Sequence, residues 1–267
     1  MTTILLLGLT VGVILALTGA GGGILAVPLL VFGADLSMAE GGPIGLMAVG
    51  LAATLGATMG LRSGTVRYKA ALLIAGVGII ASPLGLWLAQ RIPNRPLIIL
   101  FAFVLLYVAF RVFQKSMTPA LGAGLRVSGR EPPCRMDSAR GKLNWTAPCA
   151  RALALSGMLA GGLSGLLGVG GGFVMVPALQ RYTDLTTQSI VATSLAVIAL
   201  VSASGVLASA AAGHLQWAVA LPFSAGALTG MLGGRLVAAR LAGPHLQKGF
   251  AVVSALVAVA LLVRSAS

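Results

Sequence analysis

The sequence predicts an all-α polytopic membrane protein built from two inverted repeats. Three observations predict it: the composition, the spacing of the hydrophobic stretches and an internal duplication. Of the 267 residues, 58% are hydrophobic and 9% are charged, and the mean hydropathy is +1.01. A soluble domain carries about 25% charged residues. The chain therefore lacks the charge to cover a water-facing surface, and we expect membrane lipids to surround it.

Eight hydrophobic stretches are separated by short breaks that carry glycine, proline or charged residues. Most of them are close to the ~20 residues that a helix needs to cross a bilayer. The one long polar stretch, residues 114–148, contains six basic residues and is interpreted as a loop. The hydrophobic stretches are 4–33, 43–61, 70–90, 96–113, 149–180, 188–212, 217–240 and 246–264.

The halves on either side of this loop match each other at a constant offset of 149 residues. Internal repeats are common in transporter folds. We therefore divide the chain into repeat 1 (1–113), a linker (114–148) and repeat 2 (149–267). The matches include Gly21–Gly23 with Gly170–Gly172, Pro28 with Pro177, Asp35 with Asp184, Gly64 with Gly213 and Gly85 with Gly234.

The first hydrophobic stretch of each repeat is too long for one simple crossing. Residues 4–33 would form a helix of about 45 Å, against a hydrocarbon core of about 30 Å. A run of glycines interrupts this stretch, so it is either one broken crossing or a re-entrant hairpin. Its first 20 residues also resemble a signal peptide. Because residues 153–169 form an internal copy, we expect the segment to be part of the fold.

The positions of the basic residues favour the hairpin. Lys and Arg collect in cytoplasmic loops. Hairpins make the repeats inverted and place 15 of the 18 basic residues on one side and 3 on the other. The alternative, eight full crossings in parallel repeats, divides them 12 and 6. Both topologies place the linker in the cytoplasm, where Cys134 and Cys149 would be reduced thiols.

No catalytic constellation occurs in the sequence. The acidic and histidine residues all lie outside the predicted spans, and Ser37 with Glu40 fits a helix capping box. The basic residues are dispersed between the spans, which argues against a nucleic-acid partner. We therefore predict no enzyme activity, no metal site and no cofactor. The residues concerned are Asp35, Glu40, Glu131, Asp137, Asp184, His214 and His245.

The two glycine runs are the candidate functional feature. Three consecutive glycines break a helix and expose backbone N–H groups at membrane depth, where these groups must pair within the protein or line a polar cavity. A half-helix that starts after the break, near Ile24 or at Pro28, directs its positive end there. Two inverted copies would form an anion site near the bilayer midplane. The alternative is that the glycines only allow close helix packing.

Hydroxyl groups on the next span of repeat 2 could complete such a site. Thr193 and Ser194 lie there, whereas repeat 1 has Ile44 and Gly45 at the matching positions. The predicted substrate-binding residues are Gly21, Gly22, Gly23, Ile24, Pro28, Gly170, Gly171, Gly172, Phe173, Pro177, Thr193 and Ser194.

The two Gly-Gly-Gly-x4-Pro runs, in a duplicated chain of this length, resemble the TauE/SafE family of sulfite and organosulfonate exporters of bacterial cytoplasmic membranes. The second run, followed by Ala192-Thr193-Ser194-Leu195, is especially similar to the family pattern. The resemblance implies a multi-pass transporter of small sulfur-containing anions such as sulfite or sulfoacetate. Because repeat 1 has Pro43-Ile44-Gly45 instead of Ala-Thr-Ser, a site with symmetric side chains is not expected.

Electrostatics favours export as the direction. With the cell interior negative, an anion that leaves gains about 2.3 kcal/mol per charge per 100 mV. Uptake usually requires a coupling ion, and proton relays in transporters use intramembrane Asp, Glu or His, which the predicted spans lack. We therefore expect an exporter. The alternatives are an anion channel and an importer of sulfur oxyanions coupled to H⁺ or Na⁺.

Overall fold

The structure is a computed structural model that describes residues 2–18, 22–117, 133–134, 136–137, 142–143, 146–241 and 244–266. Within these ranges the chain forms ten α-helices and one short antiparallel pair of strands, β1 (Met136–Asp137) and β2 (Lys142–Leu143). The helices are α1 (Thr2–Thr18), α2 (Gly23–Gly33), α3 (Met38–Arg62), α4 (Tyr68–Arg91), α5 (Asn94–Met117), α6 (Ala147–Leu167), α7 (Gly172–Tyr182), α8 (Thr187–Ala211), α9 (Trp217–Leu241) and α10 (Pro244–Ala266).

Six of the helices are long and apolar enough to cross a membrane: α3, α4, α5, α6, α8 and α9. Large apolar side chains are exposed along them, for example Ile80 (72%), Leu207 (71%) and Leu236 (82%). Contiguous apolar surface of this kind is not compatible with water and marks the face that contacts lipid. The prediction of an all-α polytopic membrane protein is therefore confirmed.

The helix bounds of the second half follow those of the first at the offset found in the sequence. Helices α7 and α8 start and end 149 residues after α2 and α3. The equivalent helices α3 and α8 pack antiparallel, because Gly50 lies against Ser202 whereas Gly60 lies against Ala192. Two equivalent helices that run in opposite directions have the relation that inverted repeats require.

Each glycine-interrupted stretch folds back on itself. Gly22 at the start of α2 lies against Leu15, and Gly33 at its end lies against Leu7, so α2 runs antiparallel to α1. In the second half, Gly171 at the start of α7 lies against Ala160 of α6. Within the described residues, both stretches have the fold-back geometry of the predicted hairpin.

The first helix of each half packs through glycines on the fourth helix of the other half. Gly8 and Gly12 of α1 meet the backbone of α9 at Phe223 and Ala227. Apolar lipid gives little driving force for helix association, so small residues that let backbones approach are favoured at such contacts. In the second half, Gly157, Gly161 and Gly165 of α6 meet the backbone of α4 at Ile74, Gly78 and Ser82.

The predicted capping box begins α3. The Ser37 hydroxyl accepts a hydrogen bond from the Glu40 backbone N–H (3.3 Å), and the Glu40 carboxylate accepts one from the Ser37 backbone N–H (2.9 Å). These two bonds satisfy N–H groups that the start of a helix leaves open. Glu40 is therefore explained by helix capping.

The expectation of reduced thiols is wrong in the structure: Cys134 and Cys149 form a disulfide. The linker does not run free at this point, because the Cys134 backbone N–H donates to the Tyr182 carbonyl (3.1 Å) at the end of α7. Cys149 lies in the first turn of α6, whose N-cap is Thr146. The sequence alone could not show that the linker returns to the end of α7, and that return brings the two sulfurs together.

Adjacent glycines on α6 provide a matched test of the close helix contact. Gly161→Ala places a methyl group against the backbone of Gly78, whereas Gly162→Ala meets no atom within 4 Å. We expect Gly161→Ala to destabilise the protein by about 1–3 kcal/mol through overpacking. Gly162→Ala should be neutral or stabilising by up to about 1 kcal/mol because Ala favours a helix. Thermal unfolding of both variants in detergent measures the difference, and equal midpoints would contradict the packing.

Candidate functional site

The tip of the second hairpin is made of glycines in a conformation that other residues rarely adopt. Gly168, Gly170 and Gly171 have φ angles of 70°, 77° and 70°. An L-residue with a side chain loses about 1–2 kcal/mol in this left-handed region. Three such residues within four positions reverse the chain between α6 and α7. The glycine run is therefore required by the turn itself, and not only by helix packing.

This tip lies in the centre of the helix bundle, between α3 and α8. Gly168 contacts the backbone of Gly42 on α3. A Cβ atom on Gly170 would lie 3.2 Å from Val49 of α3, 3.0 Å from Ile198 of α8 and 3.3 Å from the Ser202 Oγ of α8. The side chains of Val49, Ile198 and Ser202 are buried. The two central antiparallel helices thus hold the tip away from the lipid.

The starts of the two half-helices approach each other at this point. A Cβ atom on Gly23, the first residue of α2, would lie 2.6 Å from the carbonyl oxygen of Val169 in the second tip. In α7, the first backbone hydrogen bonds are those that the N–H groups of Val174 and Met175 donate to the Gly171 carbonyl. The N–H groups of Gly172 and Phe173 make no backbone bond within the described part of the chain. Open N–H groups at a helix start, together with the helix dipole, favour an anion.

The half-helices start at the glycines and not at the prolines. Pro28 and Pro177 both lie in the interior of their helices, so Pro28 is not a first helical residue. A proline lacks an N–H, so the carbonyl four residues earlier loses its helical partner. Those carbonyls belong to Ile24 and Phe173, both in the first turn. Pro28 is buried whereas Pro177 is exposed, so the two prolines differ in their surroundings.

The first hairpin differs from the second at its described residues. Gly21 lies outside the described residues. Gly22, Gly23 and Ile24 are buried as expected of a site in the bundle. However, Gly22 at the N-cap of α2 has right-handed helical angles (φ −60°, ψ −31°), whereas its counterpart Gly171 is left-handed. The two hairpins therefore present different backbone geometry at the start of their second helices.

Thr193 and Ser194 are buried on α8, but both have hydrogen-bond partners within the protein. The Thr193 Oγ1 accepts from the Arg67 backbone N–H (3.0 Å) at the start of α4, and the Ser194 Oγ donates to the Val191 carbonyl (2.9 Å). The α8 hydroxyl beside the second tip is that of Ser202, about 13 Å further along the helix axis from Thr193. Ser202 is not among the predicted binding residues. Only the three-dimensional approach of the tip to α8 distinguishes it from other span serines.

The left-handed glycines allow a matched test of the tip. In Gly171→Ala the alanine would have to adopt φ 70°, and its Cβ atom would lie 2.6 Å from the Ala160 carbonyl oxygen. In Gly213→Ala the residue has φ 72° but meets no atom within 4 Å. Both variants should lose about 1–2 kcal/mol of stability from the backbone conformation, and Gly171→Ala should lose more because of the collision. Thermal unfolding in detergent measures both, and a Gly171→Ala loss no larger than that of Gly213→Ala would contradict the tip geometry.

Similar proteins are named as transporters. A "Probable membrane transporter protein" of Xylella fastidiosa (strain Temecula1 / ATCC 700964) is 29% identical over 259 residues, which cover 96% of this chain and 92% of that protein. The "Probable membrane transporter protein YunE" of Bacillus subtilis (strain 168) is 26% identical over 243 residues, covering 88% of this chain and 86% of that protein. No solved structure matches the chain significantly.

The model of one protein family covers nearly the whole chain. The family is described as "Sulfite exporter TauE/SafE", and it matches residues 4–261. This range contains the second hairpin, the first hairpin from residue 4 onward and all six candidate membrane spans. The chain is therefore a membrane transporter that belongs to the TauE/SafE family.

Proposed function

We propose that the protein exports small sulfur-containing anions, such as sulfite, sulfoacetate or another organosulfonate, across the bacterial cytoplasmic membrane. The substrate binds near the bilayer midplane, where the N-terminal ends of α2 and α7 meet. The family description supports the substrate class. The residues proposed to form the site are Gly21, Gly22, Gly23 and Ile24 of the first hairpin and Gly170, Gly171, Gly172 and Phe173 of the second.

One observation carries this proposal: a buried helix start whose N–H groups have no backbone partner among the described residues. Gly172 and Phe173 begin α7 in the middle of the bundle, and both residues are buried. Backbone polar groups at membrane depth that lack a partner are tolerated where they line a cavity or bind a ligand. Since they are N–H groups at the positive end of a helix, the ligand that they favour is an anion.

The distribution of ionisable groups supports export. Within the described residues, Asp35, Asp184 and His214 lie in the segments between helices, and Glu40 lies in the first turn of α3. None of these four residues lies at the start of α2 or α7. An outward-moving anion gains free energy from an inside-negative potential, so it needs no proton relay. An importer would require coupling, for which this site provides no carboxylate.

The basic residues support an orientation with the linker in the cytoplasm. The side reached by the ends of α3, α5, α7 and α9 collects most of the Lys and Arg residues, whereas Arg91, Arg95 and Arg264 lie at the opposite side. Cytoplasmic reductants keep accessible thiols reduced. Cys134 and Cys149 are 0% and 1% exposed, and this burial hinders reductants from reaching the bond.

Transport by the purified protein tests the function. Proteoliposomes loaded with sulfite and given an inside-negative potential should release sulfite faster than protein-free liposomes. Release should increase with the size of the potential, because each 100 mV adds about 2.3 kcal/mol per charge. Saturable counterflow of labelled substrate is expected of a transporter and not of a channel. If neither sulfite, sulfoacetate nor another organosulfonate shows potential-dependent release, the proposal is wrong.

Cysteine labelling tests the orientation. Leu36 lies between α2 and α3, and Arg181 lies in the last turn of α7. In intact cells, an impermeant thiol reagent should label Leu36→Cys, and it should label Arg181→Cys only after the membrane is opened. The native cysteines are bonded and buried, so the parent protein serves as the unlabelled control. Labelling of both variants in intact cells would contradict this orientation.

A further inference from the structure

The Ser202 hydroxyl is a buried polar group with no hydrogen-bond partner within the described residues. Ser202 is the sixteenth of the 25 residues of α8 and is 0% exposed. Hydroxyls in membrane helices usually bond a carbonyl of the preceding turn, as Thr54 does with the Gly50 carbonyl (2.8 Å). Ser202 does not, and its donor is therefore available to another group.

The position of the hydroxyl relates it to the start of α7. The Ser202 Oγ lies 3.3 Å from the point where a Cβ atom of Gly170 would be, so the hydroxyl lies directly beside the backbone of the tip. Of the buried serines without a partner, Ser202 is the one among the nearest neighbours of the tip glycines. The others in the described residues are Ser82, Ser164, Ser209, Ser224 and Ser254.

Two kinds of buried donor therefore lie at the second hairpin: one beside its tip and one at the start of α7. The N–H groups of Gly172 and Phe173 open the first turn of α7 and make no backbone bond within the described chain. The Ser202 O–H lies beside the tip that leads into that turn. A sulfur oxyanion offers several acceptor oxygens and negative charge, so it can accept hydrogen bonds from all of them. Hydrogen bonds to charged groups are the stronger ones.

Within the described residues, the first hairpin has no equivalent arrangement. The residue that matches Ser202 is Ala53, which is buried in the core and has no donor. In addition, the carbonyl oxygen of Val169 lies close to Gly23 at the start of α2. The partial negative charge of that oxygen opposes an anion at the positive end of α2. The start of α7 is therefore the better anion site of the two.

We propose that the Ser202 hydroxyl donates a hydrogen bond to an oxygen of the transported anion, which the N-terminus of α7 holds from the other side. This makes the second hairpin the primary binding element of an asymmetric site. The inference rests on the proposed function, because it assigns a residue to the same substrate. It adds a side-chain donor that contacts one oxygen of the anion while the N–H groups of α7 contact the others.

Ser202→Ala tests the donor, with Ser209→Ala as the matched control. Ser209 lies two turns further on α8 and is also a buried serine without a partner in the described chain. In the proteoliposome assay, Ser202→Ala should raise the KM for sulfite about tenfold or more, since a hydrogen bond to a charged group is lost. Ser209→Ala should keep the KM within about twofold. Ser202→Cys retains a weak donor, so its KM should lie between those of Ser202→Ala and Ser209→Ala.

A second measurement separates binding from folding. Without anion, Ser202→Ala should unfold at the same temperature as the parent protein or higher, because it removes an unsatisfied buried hydroxyl. Sulfite should raise the unfolding temperature of the parent protein and of Ser209→Ala, and the concentration needed should be about tenfold higher for Ser202→Ala. A merely structural serine would instead lower the midpoint without changing the sulfite dependence.

The outcomes distinguish this inference from the proposed function. If the parent protein exports sulfite and Ser202→Ala has an unchanged KM, the assignment of Ser202 is wrong while the function stands. The same holds if Ser209→Ala raises the KM as much as Ser202→Ala does. If the parent protein exports no sulfur anion, the proposed function fails. The unfolding temperatures with and without sulfite then still test whether Ser202 contributes to anion binding. If sulfite does not stabilise the parent protein, the Ser202 assignment is wrong as well.

Discussion

The bilayer leaves backbone polar groups without water, and this constraint organises the whole molecule. A chain that reverses direction at membrane depth must interrupt its helical hydrogen bonds there. The protein does so at the hairpin between α6 and α7, whose tip carries three left-handed glycines. The reversal is possible only because protein, and not lipid, surrounds it. The antiparallel pair α3 and α8 provides that environment, and the proposed binding site is a consequence of N–H groups that this reversal leaves without a helical partner.

The glycines elsewhere serve this arrangement by bringing the helices close. Backbone contacts such as Gly12 with Ala227 and Gly161 with Gly78 join the first helix of each half to the other half. Neither hairpin is therefore held by its own half alone. At the end of the first hairpin, Arg264 of α10 donates to the Val31 carbonyl (2.9 Å) and pairs with Asp35 (3.4 Å). This exposed contact adds little energy by itself, but it joins α2 to the last helix of the chain.

Much of this organisation could be predicted from residue types and spacing. The low charge predicted a membrane protein, the glycine runs predicted two helix breaks, and the capping box predicted the start of α3. What could not be predicted depended on contacts between distant segments. The Cys134–Cys149 bond requires the linker to return to Tyr182, and no local pattern encodes that return. Ser202 is likewise one of several span serines until the tip of the second hairpin is seen beside it.

The absence of a formal positive charge among the groups proposed to bind the anion agrees with transport. A buried Lys or Arg would lose its hydration, at a cost of several kcal/mol, and an anion paired with it would be difficult to release. Helix N–H groups and one hydroxyl carry only partial charges, which stay in place when the ligand leaves. A transporter must bind its substrate on one side and release it on the other, so moderate affinity is an advantage. In the proposed site, the difference between the halves, Ser202 against Ala53, makes the second half the one that contributes a side-chain donor.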